Sequence, residues 1–260
     1  GKNPSENRNN GVKASKGEII AFLDDDAVLD LDLFKNAENF FNEHPEIDVV
    51  GGPQLTPKDD GFFAKTSGYA IESFFGTFRM SKRYTQGKLE LDTDETTLTS
   101  ANCFVRKKIF SKVKGFDPRL FPGEDPEFFS RVKKTGFKLA YNPELVIYHR
   151  RRSNFFEFCK QFFNYGKVRL EKEKIGKSLP GLVFFIPSLF LIYLVLLPLL
   201  VYLFNWWFVL PFVFYLIVAF FVSVYVLFTK GALGFFLLHF LFLSMHLSYG
   251  AGMLYYLLKR

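Results

Sequence analysis

Apolar residues follow two patterns along this chain. Over residues 1–148 they fall in short runs between polar segments. The run Ile19-Ile20-Ala21-Phe22-Leu23 ends in three acids and predicts a buried strand. Residues 47–50, 101–105, 139–141 and 145–148 predict four more. Residues 33–41 and 66–78 carry helical spacing, and another helix opens at Asp125 and closes near Thr135-Gly136. Strands alternating with helices predict an α/β domain with a mostly parallel sheet.

From residue 179 the pattern changes to three long apolar stretches, 179–204, 206–229 and 232–258. Each has at least 20 residues, enough to cross a hydrocarbon core of about 30 Å as a helix. Asn205-Trp206-Trp207 and Thr229-Lys230-Gly231 form the turns, with the tryptophans at interfacial depth. Pro187, Pro198 and Pro211 lie inside the spans, where neighbouring helices tolerate kinks. Three successive stretches of this purity argue against a buried soluble core. Between the two patterns, Phe155, Phe158 or Cys159, Phe162 and Tyr165 recur at helical spacing with basic flanks. That predicts a helix lying in the membrane interface. The expected organisation is a domain over 1–148, a basic interfacial segment over 149–178 and a membrane region over 179–260.

Charge sharpens this division. The 260-residue chain has a net charge of +7, and residues 150–177 alone hold nine Lys and Arg against three Glu. The remainder is close to neutral, which excludes a nucleic-acid-binding domain with charge spread over one face. A basic cluster directly before the first span places that side in the cytoplasm, next to anionic lipid headgroups. Lys230 falls on the same side, whereas Lys259 and Arg260 fall opposite if all three stretches cross. This exception suggests a re-entrant third span or a longer natural chain. Two cysteines exclude a disulfide framework and zinc sites of the Cys-x-x-Cys type. A transporter is disfavoured, because the spans hold no acid and only His239 and His246 as titratable candidates. His246 is expected to pack against neighbouring helices, with Gly250 and Gly252 allowing close approach.

The strongest chemical signal is Asp24-Asp25-Asp26 at the end of an apolar strand. Ligands of open α/β sheets bind at carboxyl ends of strands. Carboxylates there can hold a hard divalent cation that neutralises phosphate. A solvated loop with Asp30 or Asp32 capping the next helix is the plainer reading. Within Pro122-Gly123-Glu124-Asp125-Pro126, Asp125 before proline is a good helix N-cap, and is also placed to act as a general base. Arg8 in Arg8-Asn9-Asn10-Gly11 can pair with phosphate oxygens. Ser100 and Asn102 offer small polar groups at a strand start, for a sugar or for a turn. His149, ending the run before three arginines, is either structural or a third metal ligand.

Taken in order, RNNGVKASKGEIIAFLDDD, TSANCFVRK, GFDPRLFPGEDPEFFSRVKKTG and LVIYH resemble the family-2 glycosyltransferases of GT-A fold. The likeness is narrower still to membrane-anchored bacterial and archaeal members that build surface or exported glycans. The resemblance implies that Asp24 and Asp26 form the DxD motif, with Asp26 on Mg²⁺ or Mn²⁺ and Asp24 and Asp25 on the donor side. It implies that Arg8 contacts the nucleotide or its phosphates and that Asp125, in its Glu124-Asp125 pair, is the catalytic base. Ser100, Asn102 and Gln161 are the matching acceptor-side candidates, and His149 the third metal ligand. The implied reaction is an inverting transfer from a nucleotide-sugar donor to a glycan acceptor, with a lipid-linked one favoured by the adjacent membrane. The implied location is the cytoplasmic membrane, with membrane lipids as partners and no nucleic acid.

Two departures qualify the resemblance. Processive members carry Gln-x-x-Arg-Trp, whereas Gln161 is followed here by Asn164 and Tyr165, which favours single-sugar transfer. The strands that hold base and ribose precede Arg-Asn-x-Gly in the family and have no counterpart ahead of Gly1. The expected domain therefore lacks its first strands. A nucleotidyltransferase or phosphohydrolase would also use paired carboxylates on Mg²⁺, and a non-catalytic membrane scaffold derived from a transferase stays open.

Overall fold

A computed structural model describes residues 1–120, 123–176, 181–231 and 234–259, without the side chains of 171–176. Pro122 of the predicted Pro-Gly, residues 179 and 232 at the expected span starts, and Arg260 lie outside the described residues. The elements in chain order are α1 (Pro4–Ala14), β1 (Ile19–Leu23), β2 (Ala27–Leu29), α2 (Leu33–Glu43), β3 (Val49–Gly51), β4 (Gln54–Leu55), α3 (Phe62–Glu72), α4 (Phe74–Thr77), β5 (Asn102–Arg106), α5 (Glu124–Lys134), β6 (Leu139–Tyr141), β7 (Ile147–His149), α6 (Phe155–Gly176), α7 (Ile186–Leu203), α8 (Leu210–Lys230) and α9 (Phe235–Leu258). They form two compact units, one of Gly1–Asp60 with Arg79–Arg151 and one of Gly61–Phe78 with Arg152–Arg260. The segment Gly61–Phe78, which the sequence pattern keeps with the first domain, thus belongs to the second unit.

The first unit is the expected α/β structure. Its main sheet runs β1-β5-β3-β6 and a second runs β2-β7-β4. Both faces of the main sheet are covered, so successive residues enter opposite cores. Ile20, Phe22, Val49, Cys103 and Val105 face Val12, Phe116, Phe128 and Val132. Val50 and Phe104 face Leu33, Ala37, Phe40 and Phe41 of α2, with Ile19, Ala21 and Leu23 packed alongside. Burial on both faces is why β1 reads as an unbroken apolar run.

The sheet is mixed rather than mostly parallel. β5 lies between β1 and β3 and is antiparallel to both; β2 is antiparallel to β7; only β3–β6 and β4–β7 run parallel. A strand buried on both faces has the same apolar signature in either direction, so alternation alone cannot report its polarity. Asp32 stands at the N-cap of α2 without a side-chain bond, while Asp30 accepts from the Asp32 N–H at 3.1 Å.

In the second unit α9 is the central helix. α7, α8 and α9, with the 3₁₀ turns at Leu182–Phe185 and Trp206–Val209, are long and apolar enough to cross a membrane. Pro187 and Pro211 occupy the first turns of α7 and α8, where no N–H is needed, so only Pro198 is interior. A Cβ on Gly252 would collide with the Phe163 carbonyl of α6, and one on Gly250 with Pro187 of α7. Both glycines therefore permit the expected close approach. His246 Nδ1 pairs with Tyr215 Oη at 2.8 Å and Nε2 with the Phe75 carbonyl at 3.0 Å. The aromatic stripe of α6 meets protein: Phe158 faces Phe63 of α3, and Phe155 stacks on Phe240 of α9.

Candidate active site

The acidic run is a tight turn. The Ala27 N–H donates to the Asp24 carbonyl at 3.2 Å, placing Asp25 and Asp26 at the corners. β2 follows at once, and its antiparallel register with β7 sets Ala27 opposite His149. That register carries His149 to the acids. Its Nε2 lies 3.1 Å from Asp26 Oδ1 and 3.6 Å from Asp24 Oδ2. The Asp24 carboxylate holds the imidazole above its ordinary pKa, against the effect of burial and helped by the Asp26 charge. One ligand atom from each of the three residues falls within 4.8 Å of the others. Two carboxylates and one imidazole are a donor set suited to Mg²⁺ or, better, Mn²⁺. Asp25 is exposed and outside this cluster.

The Asp24 N–H donates to the Ala101 carbonyl at 3.2 Å, so the approach to β5 lies beside the acidic turn. Asp125 reaches the same approach from α5. It does not cap its helix: Gly123 is the N-cap, at φ 117, and Glu124 is already helical. A cap must precede the first helical residue to reach the free N–H groups, and Asp125 stands two positions past the cap, on the second helical residue. Its Oδ2 instead accepts from Thr99 Oγ1 and the Ser100 N–H, both at 3.0 Å, and Oδ1 accepts from Ser100 Oγ. A carboxylate has about four acceptor positions, which leaves one on Oδ1.

Arg8 stands between the two acidic groups. It comes from α1, whose Asn3 cap accepts from the Glu6 N–H at 2.9 Å. Asn9 grips the backbone of Phe116 through two hydrogen bonds of 2.8 Å, fixing the helix to the loop before α5. Arg8 Nη1 then lies 2.7 Å from Glu124 Oε1 and 3.9 Å from Asp125 Oδ1, and Nη2 lies 3.8 Å from Asp24 Oδ1. Burial works against the guanidinium's charge, but Asp125, Glu124 and Asp24 together raise its pKa above the ordinary value. Burial, then the Asp125 charge, raises the Glu124 carboxyl, against the pull of Arg8. Glu124 thus sits behind Arg8 as its buried anchor.

The structure gathers Arg8, Asp24, Asp26, Ser100, Glu124, Asp125 and His149. It does not present Asn102, which is 0% exposed. Its amide donates to the Leu145 and Pro53 carbonyls at 2.6 and 3.2 Å, tying β5 to the neighbouring loops. Gln161 belongs to the second unit, where its amide donates to Tyr165 Oη at 2.8 Å. Arg150 and Arg151 are not free for lipid: Arg150 pairs with Asp59 and Asp60 at 2.7 and 2.9 Å, and Arg151 bonds Thr56 and the Gln54 carbonyl. The sequence offers Thr99 only as a small polar group for a sugar or a turn, and Asn9 only as part of its motif, because both act through contacts with distant backbone or α5.

Part of this chain is similar to known proteins. The O-antigen chain rhamnosyltransferase RfbN of Salmonella typhimurium is 28% identical over 162 residues, covering 60% of this chain and 48% of that protein. The minor teichoic acid biosynthesis protein GgaB of Bacillus subtilis is 26% identical over 182 residues, covering 66% and 18%. The glycosyltransferase AglE of Haloferax volcanii is 25% identical over 164 residues, covering 63% and 49%. The chain therefore spans about half the length of two of these relatives and under a fifth of the third. Residues 19–255 match the family described as Glycosyl transferase family group 2, and the chain belongs to that family.

Proposed function

We propose that this protein transfers a sugar, with inversion, from a nucleotide-sugar donor to a glycan acceptor at the cytoplasmic face of a membrane. The observation that carries the reading is the convergence of the Asp24–Asp26–His149 cluster, the Arg8 guanidinium and the Asp125 carboxylate at the ends of β1 and α5. Asp24, Asp26 and His149 would hold Mg²⁺ or Mn²⁺. When bound, the cation supplies neutralising charge for the donor diphosphate. Arg8, locked by Glu124, adds a fixed positive charge on the donor side.

Asp125 serves as base. The three donors on its oxygens fix its orientation, and the open position on Oδ1 receives the proton of the acceptor hydroxyl. The acceptor oxygen bonds to the anomeric carbon as the bond from that carbon to the diphosphate oxygen breaks. The nucleoside diphosphate leaves with that electron pair. A unit of long apolar helices in the same chain favours a lipid-linked acceptor.

The test is calorimetric titration of UDP and GDP into the protein in nanodiscs, with and without Mn²⁺, followed by product assays on lipid-linked glycans. Metal-dependent binding that Asp26→Ala abolishes, with turnover that Asp125→Asn abolishes, is the expected result. Nucleotide binding indifferent to metal and to Asp26→Ala would overturn the donor-site assignment. Binding without transfer to any glycan would favour a scaffold.

A further inference from the structure

By length and composition α9 resembles α7 and α8, but its surroundings differ. Half of its apolar window is buried within the protein, against 6% for the α7 span and 17% for the α8 span. The helices that cover it come from segments far apart in sequence. At its start, a Cβ on Gly234 would lie 2.5 Å from Thr66 Oγ1 of α3. In its middle, Phe242 meets Phe75 of α4 at 5.0 Å between ring centroids, and Phe240 stacks on Phe155 at 4.9 Å. Towards its end, Gly252 abuts Phe163 of α6.

These partners share one side of the membrane. Between Thr66 and Phe163 the chain has no apolar stretch long enough to cross, so α3, α4 and the first half of α6 lie on the same face. Gly234 and Gly252 are separated by about 27 Å along a helix at 1.5 Å per residue, close to the full hydrocarbon thickness. If α9 crossed, either α3 or α6 would be drawn through the bilayer with it. α6 carries Glu157, Lys160, Lys167 and Arg169 beside that contact. Each such charge is costly at mid-membrane. α6 also runs alongside α9 in the same direction, with Phe155 at Phe240 and Phe163 at Gly252 and Tyr255. A helix held in the interface by its charges keeps its neighbour there too.

We propose that only α7 and α8 cross, as a hairpin, and that α9 lies along the membrane surface from which the hairpin enters, wedged between α3, α4 and α6 and the acyl chains of that leaflet. Lys230, closing α8, lies 3.5 Å from Glu72 of α3, which returns the hairpin to that side. Phe236 and Leu258, each 86% exposed near opposite ends of α9, belong to its lipid-facing surface. This placement also brings Lys259 to the side of Lys230, removing its exception to the charge rule.

The test labels single cysteines in the full chain on a Cys159→Ser background, Cys103 being buried. Lys259→Cys, Thr229→Cys and Phe204→Cys are probed with a membrane-impermeant maleimide in sealed vesicles of each orientation. Lys259→Cys reacting from the side of Thr229→Cys is the expected result; reaction from the side of Phe204→Cys overturns the proposal. A second readout covers a silent or misfolded variant. Green fluorescent protein fused after Arg260 should fluoresce and alkaline phosphatase fused there should be inactive. An active phosphatase overturns the proposal. Neither readout needs catalysis, so a failure of the transferase reading leaves this test intact.

Discussion

The two units put the same residue types to opposite uses. In the sheet unit, Phe22, Phe128 and Phe129 are buried on one face of the main sheet and Phe104 on the other. In the helical unit, Val195, Tyr202 and Phe228 are 70%, 85% and 82% exposed. Where polar segments alternate with apolar ones, water drives the apolar side chains inward. Where apolar residues run all round a helix, there is no inward face to choose, as in a helix long and apolar enough to cross a membrane. Burial in the second unit then collects on α9, where Gly250 and Gly252 let backbones approach while Leu238, Leu241, Phe242 and Met245 fill the remaining space. The sheet unit holds its polar chemistry on a packed frame, and the helical unit combines backbone approach with large apolar side chains.

The largest effect should separate chemistry from frame. Asp125→Asn is expected to lower kcat by about 10²–10⁴ while donor affinity, measured by calorimetry, changes little. Loss of donor binding as well would make Asp125 a clamp for Thr99 and Ser100 rather than a base. Next, Phe128→Ala should destabilise the protein by about 3–5 kcal/mol, seen as a lowered midpoint in thermal unfolding. In the helical unit the comparable loss should come from adding atoms. Gly252→Ala forces α6 from α9, at about 1–3 kcal/mol, read by the melting of the nanodisc-embedded protein.

Arg8→Ala tests the electrostatic part of the frame. It leaves Glu124 buried without its cation, at about 1–3 kcal/mol near neutral pH. Because the native state holds the Glu124 proton more tightly than the unfolded chain does, that group's contribution is complete below the unfolded pKa and is lost as pH rises through the folded one. Removing the opposing Arg8 bond widens that window. The deficit of Arg8→Ala against the parent should therefore grow as pH rises above the ordinary carboxylate range, in melts followed upward in pH. At the small end, Phe228→Ala should shift the midpoint by no more than about 0.5 kcal/mol. A larger shift would mean that this face is covered by protein rather than lipid.

Local pattern made much of this legible. The period-two and unbroken runs marked β1, β5 and β6, the spacing of Leu33, Ala37, Phe40 and Phe41 marked α2, and apolar length marked the helices of the second unit. α1 was missed because Val12 is its one buried apolar residue and its many asparagines read as loop. β2 and β4 were missed because strands of three and two residues carry no period. Asp125 read as a cap because a sequence shows Asp before Pro but not that Gly123 has already turned the chain.

The sequence by itself determined where the long apolar helices lie, that strands alternate with helices in the first unit, and that three acids close its first strand. Those follow from composition and period, which are local. Only the tertiary structure decided that β5 runs antiparallel and that His149 joins Asp24 and Asp26. Likewise it alone buried Asn102 and bound Asp125 to Thr99 and Ser100 from across the fold. Strand register and helix contact couple residues distant in sequence, and the free energy of such a coupling is written in neither residue alone.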